Sequence, residues 1–303
     1  MGSKTKQLRA LIEKPGMILR PGIYDSLTAK LAEKAGFEWV LLTGYGVSGA
    51  MLGRPDVGLL SFGEILQKAR EVCNMVNIPV VVDVDTGYGN AVNVFRTTQE
   101  MIWAGAAAIQ IEDQVWPKRC GHMFGKQIIS TEEMTGKIRA ATDAKNGIDP
   151  EVVIGARTDA RSVSGFKEVL KRGKAYADAG ADYIYVETPK SLEEIEKIVK
   201  EIKIPVTFNI IEGGKTPSFN FDDLEKLGVK ILSLPLTTLY AATKAVMDVL
   251  EIMKNAKKVE EWERLTIPWH EFNELIGLSK IKEMEKKYLP EELLKKMYGE
   301  IEK

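Results

Sequence analysis

Val80-Val81-Val82-Asp83-Val84-Asp85-Thr86-Gly87-Tyr88-Gly89 and, one helical stretch later, Trp103-Ala104-Gly105-Ala106-Ala107-Ala108-Ile109-Gln110-Ile111-Glu112 decide the fold of this chain. Val80 to Asp83 is a short β-branched run, and Ala108 to Ile111 is a second apolar run that follows a glycine. Between them, Val92 to Ala104 carries an apolar face at helical spacing. The same rhythm extends outward in both directions. Strands are expected at Met17 to Leu19, Trp39 to Thr43, Val152 to Arg157, Tyr183 to Glu187, Val206 to Ile210 and Lys230 to Leu234. Helices are expected at Ser61 to Val76, Thr131 to Asn146, Gly165 to Ala179 and Leu192 to Ile202. Lys34-Ala35-Gly36-Phe37, Trp103-Ala104-Gly105-Ala106 and Asp178-Ala179-Gly180-Ala181 repeat one punctuation, in which glycine caps a helix just before the next strand. Eight such units close into an α/β fold, a (β/α)8 TIM-type barrel.

The chain has 303 residues, and one barrel of roughly 250 residues leaves an appendage. Residues 1–255 are read as a catalytic barrel that ends with a helix from Thr237 to Ile252. Residues 256–303 are read as a C-terminal helical extension for oligomer packing, broken at Pro268 and Pro290. Its Trp262, Leu265, Trp269, Phe272, Leu275, Ile276, Leu278 and Tyr288 require burial against the barrel or a neighbouring subunit. A formal charge of −1 provides no broad basic field, which argues against nucleic acid or an anionic membrane as partner and for a small molecule. No apolar run reaches the length of a membrane span, and Met1 to Ile12 lacks the apolar region of a secretory leader. Two cysteines, Cys73 and Cys120, are too few for a disulfide framework and fit a reducing, cytoplasmic setting.

Barrels of this kind do their chemistry where strands end and helices begin. Alternation along the third strand sends Asp83 and Asp85 to one face, and Glu112 ends the neighbouring strand at the same level. Three acids this close raise one another's pKa unless a cation neutralises them. An oxygen-only set suits magnesium, or manganese, rather than zinc. Arg157, Glu187 and Asn209 end further strands and together suit a multiply anionic substrate. Gly44-Tyr45-Gly46-Val47-Ser48-Gly49 matches G-x-G-x-x-G, but no second strand with an acid follows at the nucleotide-binding spacing. Backbone N–H groups cradling a carboxylate explain it better.

Lys118-Arg119-Cys120-Gly121-His122 lies beyond the fourth strand in a polar loop. Two cations and a histidine beside the thiol are surroundings that lower its pKa and make proton exchange feasible. Cys73, between Val72 and Val76 on the apolar side of a helix, is a core residue, and His270 beside Trp269 is structural or interfacial.

Lys118-Arg119-Cys120-Gly121-His122-Met123 resembles the signature of the lyase branch of the isocitrate lyase and phosphoenolpyruvate mutase superfamily. The likeness extends to Thr43-Gly44, Pro55-Asp56-Val57-Gly58, the Asp83/Asp85 pair, Glu112-Asp113-Gln114, Ala156-Arg157-Thr158-Asp159, Asn209 and Phe272-Asn273-Glu274-Leu275-Ile276-Gly277-Leu278. The resemblance implies a barrel whose eighth helix is exchanged between subunits, in a homo-oligomer built as a dimer of dimers. It implies that Asp85 binds magnesium while Asp56, Asp83 and Glu112 hold its waters. Thr43, Gly44, Tyr45, Gly121, Arg157, Glu187 and Asn209 would hold the substrate, under a closing loop that carries Lys118, Cys120 and His122. The reaction implied is cleavage of a 2-hydroxy di- or tricarboxylic acid to an α-keto acid and a carbanion that Cys120 protonates.

Two departures bear on this. Leu41 stands where many such lyases carry a tyrosine proposed as the base, and Tyr45 offers a substitute phenol or a packing residue. After His122 the chain reads Met123-Phe124-Gly125-Lys126, not the Arg-Pro-Asn-Lys of methylisocitrate lyases, which favours alkyl-substituted malates such as 2,3-dimethylmalate alongside 2-methylisocitrate. Phosphonomutases of the superfamily typically lack the Cys-Gly-His trio, and Pro235 stands where oxaloacetate hydrolases tend to carry serine. A mutase, such a hydrolase and a non-catalytic metabolite-binding barrel are the competing readings.

Overall fold

The computed structural model describes residues 3–217 and 219–299. Eight strands form one closed parallel barrel in sequence order: β1 (Ile18–Ile23), β2 (Val40–Leu42), β3 (Val80–Asp83), β4 (Ala108–Glu112), β5 (Val153–Thr158), β6 (Tyr183–Val186), β7 (Val206–Asn209) and β8 (Ile231–Leu234). β8 closes the ring on β1, with Ile18 opposite Ile231 and Pro21 opposite Leu234. The expected strands and helices are present with ends shifted by a residue or two, except at β1. That strand runs on through Pro21-Gly22, a pair that reads as a breaker in sequence. Gly22 is needed there because a Cβ would lie 2.0 Å from the Pro235 carbonyl oxygen.

Helix starts are fixed by local chemistry. Ser61 and Glu64 form a reciprocal capping box on helix Phe62–Met75, and Asn90 with Asn93 does the same on Ala91–Ala104. Helix ends follow the expected punctuation: Gly36, Gly105 and Gly180 take φ of 90°, 98° and 106°. The packed core lies in two shells. One, including Val82, Ile109, Ile154 and Ile184 from the strands and Ile65, Val72, Met134 and Ile138 from the helices, sits between barrel and helix ring. The other fills the barrel interior with Trp39, Leu41, Val81, Tyr183 and Tyr185, to which helix Lys4–Glu13 adds Leu8 and Leu11. With this end filled, the C-terminal ends of the strands are left for chemistry.

Two compact units meet between Ala241 and Ala242, within helix Thr237–Met253. That helix buries no residue, and Val246, Met247 and Leu250 are all more than half exposed. In the second unit Pro268 and Pro290 cap helices Trp269–Ile276 and Glu291–Tyr298, as proline outside a helix start should. Trp269 and Tyr288 are exposed there. Among the described residues no helix is long and apolar enough to cross a membrane.

Candidate active site

β3 ends at Asp83, and the chain then turns sharply, with Asp85 and Tyr88 at φ of 48° and 61°. Positive φ at two non-glycine residues is strain of the kind that functional sites hold. It is this turn, rather than strand alternation, that brings the two acids together. A Cβ on Gly44 would lie 3.3 Å from Asp85 Oδ1 and 3.6 Å from Asp83 Oδ2. The Asp85 N–H donates to Asp83 Oδ1 at 3.1 Å, and Glu112 N–H donates to the Asp85 carbonyl at 2.8 Å. Gly44 itself begins a short helical turn, Gly44–Val47, directly after buried Thr43.

Lys118 reaches into this cluster from the loop after β4. Its Nζ lies 2.6 Å from Asp56 Oδ2 and 2.8 Å from Asp85 Oδ1. Burial alone would lower its pKa, but Asp85, Asp56 and Glu112 hold it well above the ordinary lysine value. Burial pushes Asp85 up to about 7, Lys118 pulling it down and Asp83 and Asp56 pushing further up. Burial likewise raises Glu112 well above the usual carboxylate range against the pull of Arg157 and Lys118.

Arg157, at the end of β5, is held on three sides. It meets Glu112 at 3.2 Å, Asp159 at 2.8 Å and Glu187 at 2.8 Å, with its guanidinium 5.0 Å above the Tyr185 ring. Tyr185 donates to Glu187 at 2.6 Å, and Glu187 lies 3.3 Å from His122 Nε2. Burial would raise Glu187, but Arg157 and His122 hold it far below the ordinary range. The Lys215 N–H donates to His122 Nδ1 at 2.7 Å, so a neutral ring carries its proton on Nε2, toward Glu187. Lys126 ties the far end of the loop to Asp159 at 2.6 Å and to the Gly121 carbonyl.

Cys120 is buried on this loop, its N–H donating to the Asp56 carbonyl at 2.9 Å. Burial pushes its thiol up to about 11, eased by the hydrogen bond from the His122 backbone and reinforced by Glu187 and Asp56. This corrects the expectation of a lowered pKa. The flanking cations are neighbours in sequence but not in function: Lys118 is committed to Asp56 and Asp85, and Arg119 faces solvent. Gly121 allows the close passage of the loop, since a Cβ would lie 2.0 Å from Glu187 Oε2 and 2.4 Å from Arg157 Nη2. Cys73 is a core thiol, pushed by burial up to about 12.

Thr43, Tyr45, Asp56, Asp83, Cys120, Gly121, His122, Arg157, Glu187 and Asn209 line one cavity, walled on another side by Leu41, Ile211, Pro235 and Leu236. Its free volume is about 30 Å³, room for little more than a water molecule. Asp113, which adjoins Glu112 in sequence, is not part of it. It faces outward and anchors Thr158, Tyr176 and Arg172 at 2.8, 2.8 and 3.0 Å. Tyr185, Lys126 and Asp159 belong to the ion network although sequence reasoning gave them no role. Tyr185 was within reach, since it precedes Glu187 by two and shares its face; the Lys126–Asp159 pair spans 33 residues and carried no local signal.

The network joins six carboxyl groups, Asp56, Asp83, Asp85, Glu112, Asp159 and Glu187, to three cations, Lys118, Lys126 and Arg157. Among the described residues no three acids, histidines or cysteines are spaced as a ready metal cage. Yet Glu112 Oε1 is buried with no partner among the described residues, while Glu112 Oε2 meets Arg157 at 3.2 Å and Asp85 Oδ1 meets Lys118 at 2.8 Å. Surplus negative charge and an orphaned hard oxygen donor are the features that suit a divalent cation such as magnesium.

The family profile for phosphoenolpyruvate phosphomutase matches residues 8–254. The chain is 45% identical over 282 residues to 2,3-dimethylmalate lyase of Eubacterium barkeri, covering 93% of this chain and 97% of the relative. It is 44% identical over 271 residues to 2-methylisocitrate lyase of Aeropyrum pernix, covering 89% and 86%. Among solved structures it resembles phosphonopyruvate hydrolase in complex with oxalate and Mg²⁺, at a TM-score of 0.86 and 32% identity over 95% of this chain and all of that one. With an eight-stranded barrel, an acid cluster and a Cys-Gly-His loop at one cavity, and lyases at this level of identity over most of its length, the chain belongs to the phosphoenolpyruvate mutase and isocitrate lyase superfamily.

Proposed function

We propose that this protein is a magnesium-dependent carbon–carbon lyase that cleaves a small 2-hydroxy di- or tricarboxylic acid to an α-keto acid such as pyruvate and a second carboxylate. The observation that carries the reading is a buried Cys120 thiol, held protonated, facing the same cavity as Asp56, Asp83, Arg157 and Glu187. A thiol that keeps its proton at neutral pH can give it to a carbanion. A cation bound by Asp85 and Glu112, with Asp56 and Asp83 behind them, would supply Lewis-acid stabilisation of charge on the substrate's 2-oxygen; manganese offers the same chemistry.

Thr43, Gly44, Gly121 and Asn209 hold the substrate's oxygens, and Arg157 sets the positive wall that receives a carboxylate. As the carbon–carbon bond breaks, its electron pair stays on the departing carboxylate fragment. Cys120 Sγ transfers its proton to that carbon, which leaves a thiolate close to Arg157 and the His122 N–H. Lys118, His122 and Glu187 position the loop: Lys118 clamps its near end to Asp56 and Asp85, and His122 clamps its middle to Glu187. Leu41 has no basic atom, so the hydroxyl proton leaves by another route, for which Tyr45 supplies the phenol that lines the cavity. A cavity of about 30 Å³ is the closed state, and the loop from Lys118 to Lys126 lifts to admit substrate.

Leu41, Ile211, Pro235 and Leu236 form an apolar wall suited to alkyl substituents, which supports 2,3-dimethylmalate or 2-methylisocitrate as substrate type. The apolar, unburied helix Thr237–Met253 supports exchange of this element between subunits of a cytoplasmic homo-oligomer. The reading is tested by following keto-acid release from 2,3-dimethylmalate, 2-methylisocitrate, isocitrate and oxaloacetate with and without magnesium. Release from the hydroxy acids that stops on chelation is expected. Turnover confined to oxaloacetate or to a phosphonate would move the assignment to the other branches, and no turnover at all would leave a metabolite-binding barrel.

A further inference from the structure

Arg20 projects from β1 into the barrel interior, fully buried, and makes no ion pair among the described residues. Its partners are all neutral: Ser233 Oγ at 2.8 Å, Tyr183 OH at 3.2 Å and Gln110 Oε1 at 3.3 Å. The guanidinium also lies 5.2 Å from the Trp39 ring and 5.5 Å from the Tyr183 ring. A desolvated cation is costly to keep, and nothing in the ion network described above uses it.

What it does is orient one amide. A guanidinium can only donate, so Gln110 must turn its oxygen toward Arg20. The Tyr183 hydroxyl donates to that same oxygen at 3.2 Å, which fixes the choice from a second side. The amide nitrogen therefore points the other way, and it makes no hydrogen bond among the described residues. Gln110 lines the cavity beside Asp83, Cys120, Arg157 and Asn209, on the same face of β4 as Glu112. Hydrogen bonding to a buried cation polarises the amide and strengthens its N–H as a donor.

We infer that Gln110 is a substrate-binding residue that donates from Nε2 to a carboxylate oxygen of the bound acid, with Arg20 and Tyr183 as the residues that aim it. The anion is assigned from the cavity alone; its identity as a lyase substrate rests on the function proposed above.

Gln110→Met is the decisive variant, because it removes the cavity-facing donor without adding a charge. Gln110→Glu keeps an oxygen against Arg20 and the length of the side chain, but replaces the donor with an acceptor whose charge also repels the anion. Calorimetric titration with oxalate in the presence of Mg²⁺ is expected to show affinity falling by about tenfold or more in each, the weight of a hydrogen bond to a charged group. With an acid that the parent chain cleaves, KM rises more than kcat falls. Arg20→Met, which frees the amide to rotate, shifts both in the same direction by less. Thermal melts followed by circular dichroism confirm that each variant is folded. Were Gln110 there only to brace Arg20, the neutral Gln110→Met would still bind oxalate as the parent does; affinity of that variant within twofold of the parent overturns the inference. So does a parent chain that fails to bind oxalate. A parent that binds oxalate but cleaves none of the acids sinks the lyase reading while the titrations still decide the role of Gln110.

Discussion

The protonation state of Cys120 is where the proposed chemistry is most exposed to test. Burial raises its thiol to about 11, so the pKa is higher in the folded chain than in the unfolded one, where a cysteine titrates near 8.5. At pH 8 a free thiol near 8.5 is about 24% thiolate, whereas one near 11 is about 0.1%, so alkylation by iodoacetamide should run more than about a hundredfold slower than for a free cysteine. The sign of the linked stability follows. The neutral thiol is the buried form, so its contribution is fully present below the unfolded pKa and is lost as pH rises through the folded one. Between about pH 8.5 and 11 the parent chain should lose roughly 3 kcal/mol that a Cys120→Ser variant does not lose. The assays are alkylation rates read peptide by peptide, which separates Cys120 from the buried Cys73, and ultraviolet thiolate titration as the difference between parent and Cys120→Ser. A titration midpoint at or below that of an ordinary cysteine, or alkylation at the rate of a free thiol, would refute the reasoning. Cys120 would then be poised as a nucleophile instead of an acid.

Cys120→Ser should lower keto-acid release by orders of magnitude while leaving the thermal melting point and magnesium binding close to the parent, since one atom changes at a site defined by its backbone. Gly121→Ala places a methyl 2.0 Å from Glu187 Oε2, so the loop must retreat by more than an ångström; turnover should fall about a hundredfold with little loss of stability. Gly214→Ala brings a methyl within 2.6 Å of His122 Nδ1, and the ring must give up the Lys215 N–H. A raised KM for the hydroxy acid with the melting point unchanged is the expected readout, and an unchanged KM would count against His122 as a loop clamp. Asp113→Ala leaves Arg172 without its buried carboxylate and should cost about 3 kcal/mol in denaturant unfolding.

Much of the fold was legible because burial on both faces writes parallel strands as short apolar runs, and positive-φ glycines mark where each helix ends. β1 was the exception. In the closed barrel Pro21 sits inside β1, at the last residue that pairs with β8, and Gly22 is demanded by a contact with Pro235 more than two hundred residues away. The acid cluster was found for a partly mistaken reason. Alternation predicted that Asp83 and Asp85 would share a face, while the structure brings them together through a left-handed turn at Asp85.

The sequence by itself determined the barrel, the residues at its strand ends and the loop that carries the only cysteine near them, because those are encoded in local periodicity and residue type. Only the tertiary structure decided how they behave. Neighbours in sequence suggested that Lys118 and Arg119 would draw the Cys120 thiol toward thiolate. In the fold Lys118 is claimed by Asp56 and Asp85, Arg119 turns to solvent, and burial keeps the proton on sulfur. The same holds for Arg20 and Gln110, ninety residues apart, whose pairing no local pattern announces. The reason is physical: electrostatic energies depend on distance and burial, and both are properties of the folded chain rather than of the order of its residues.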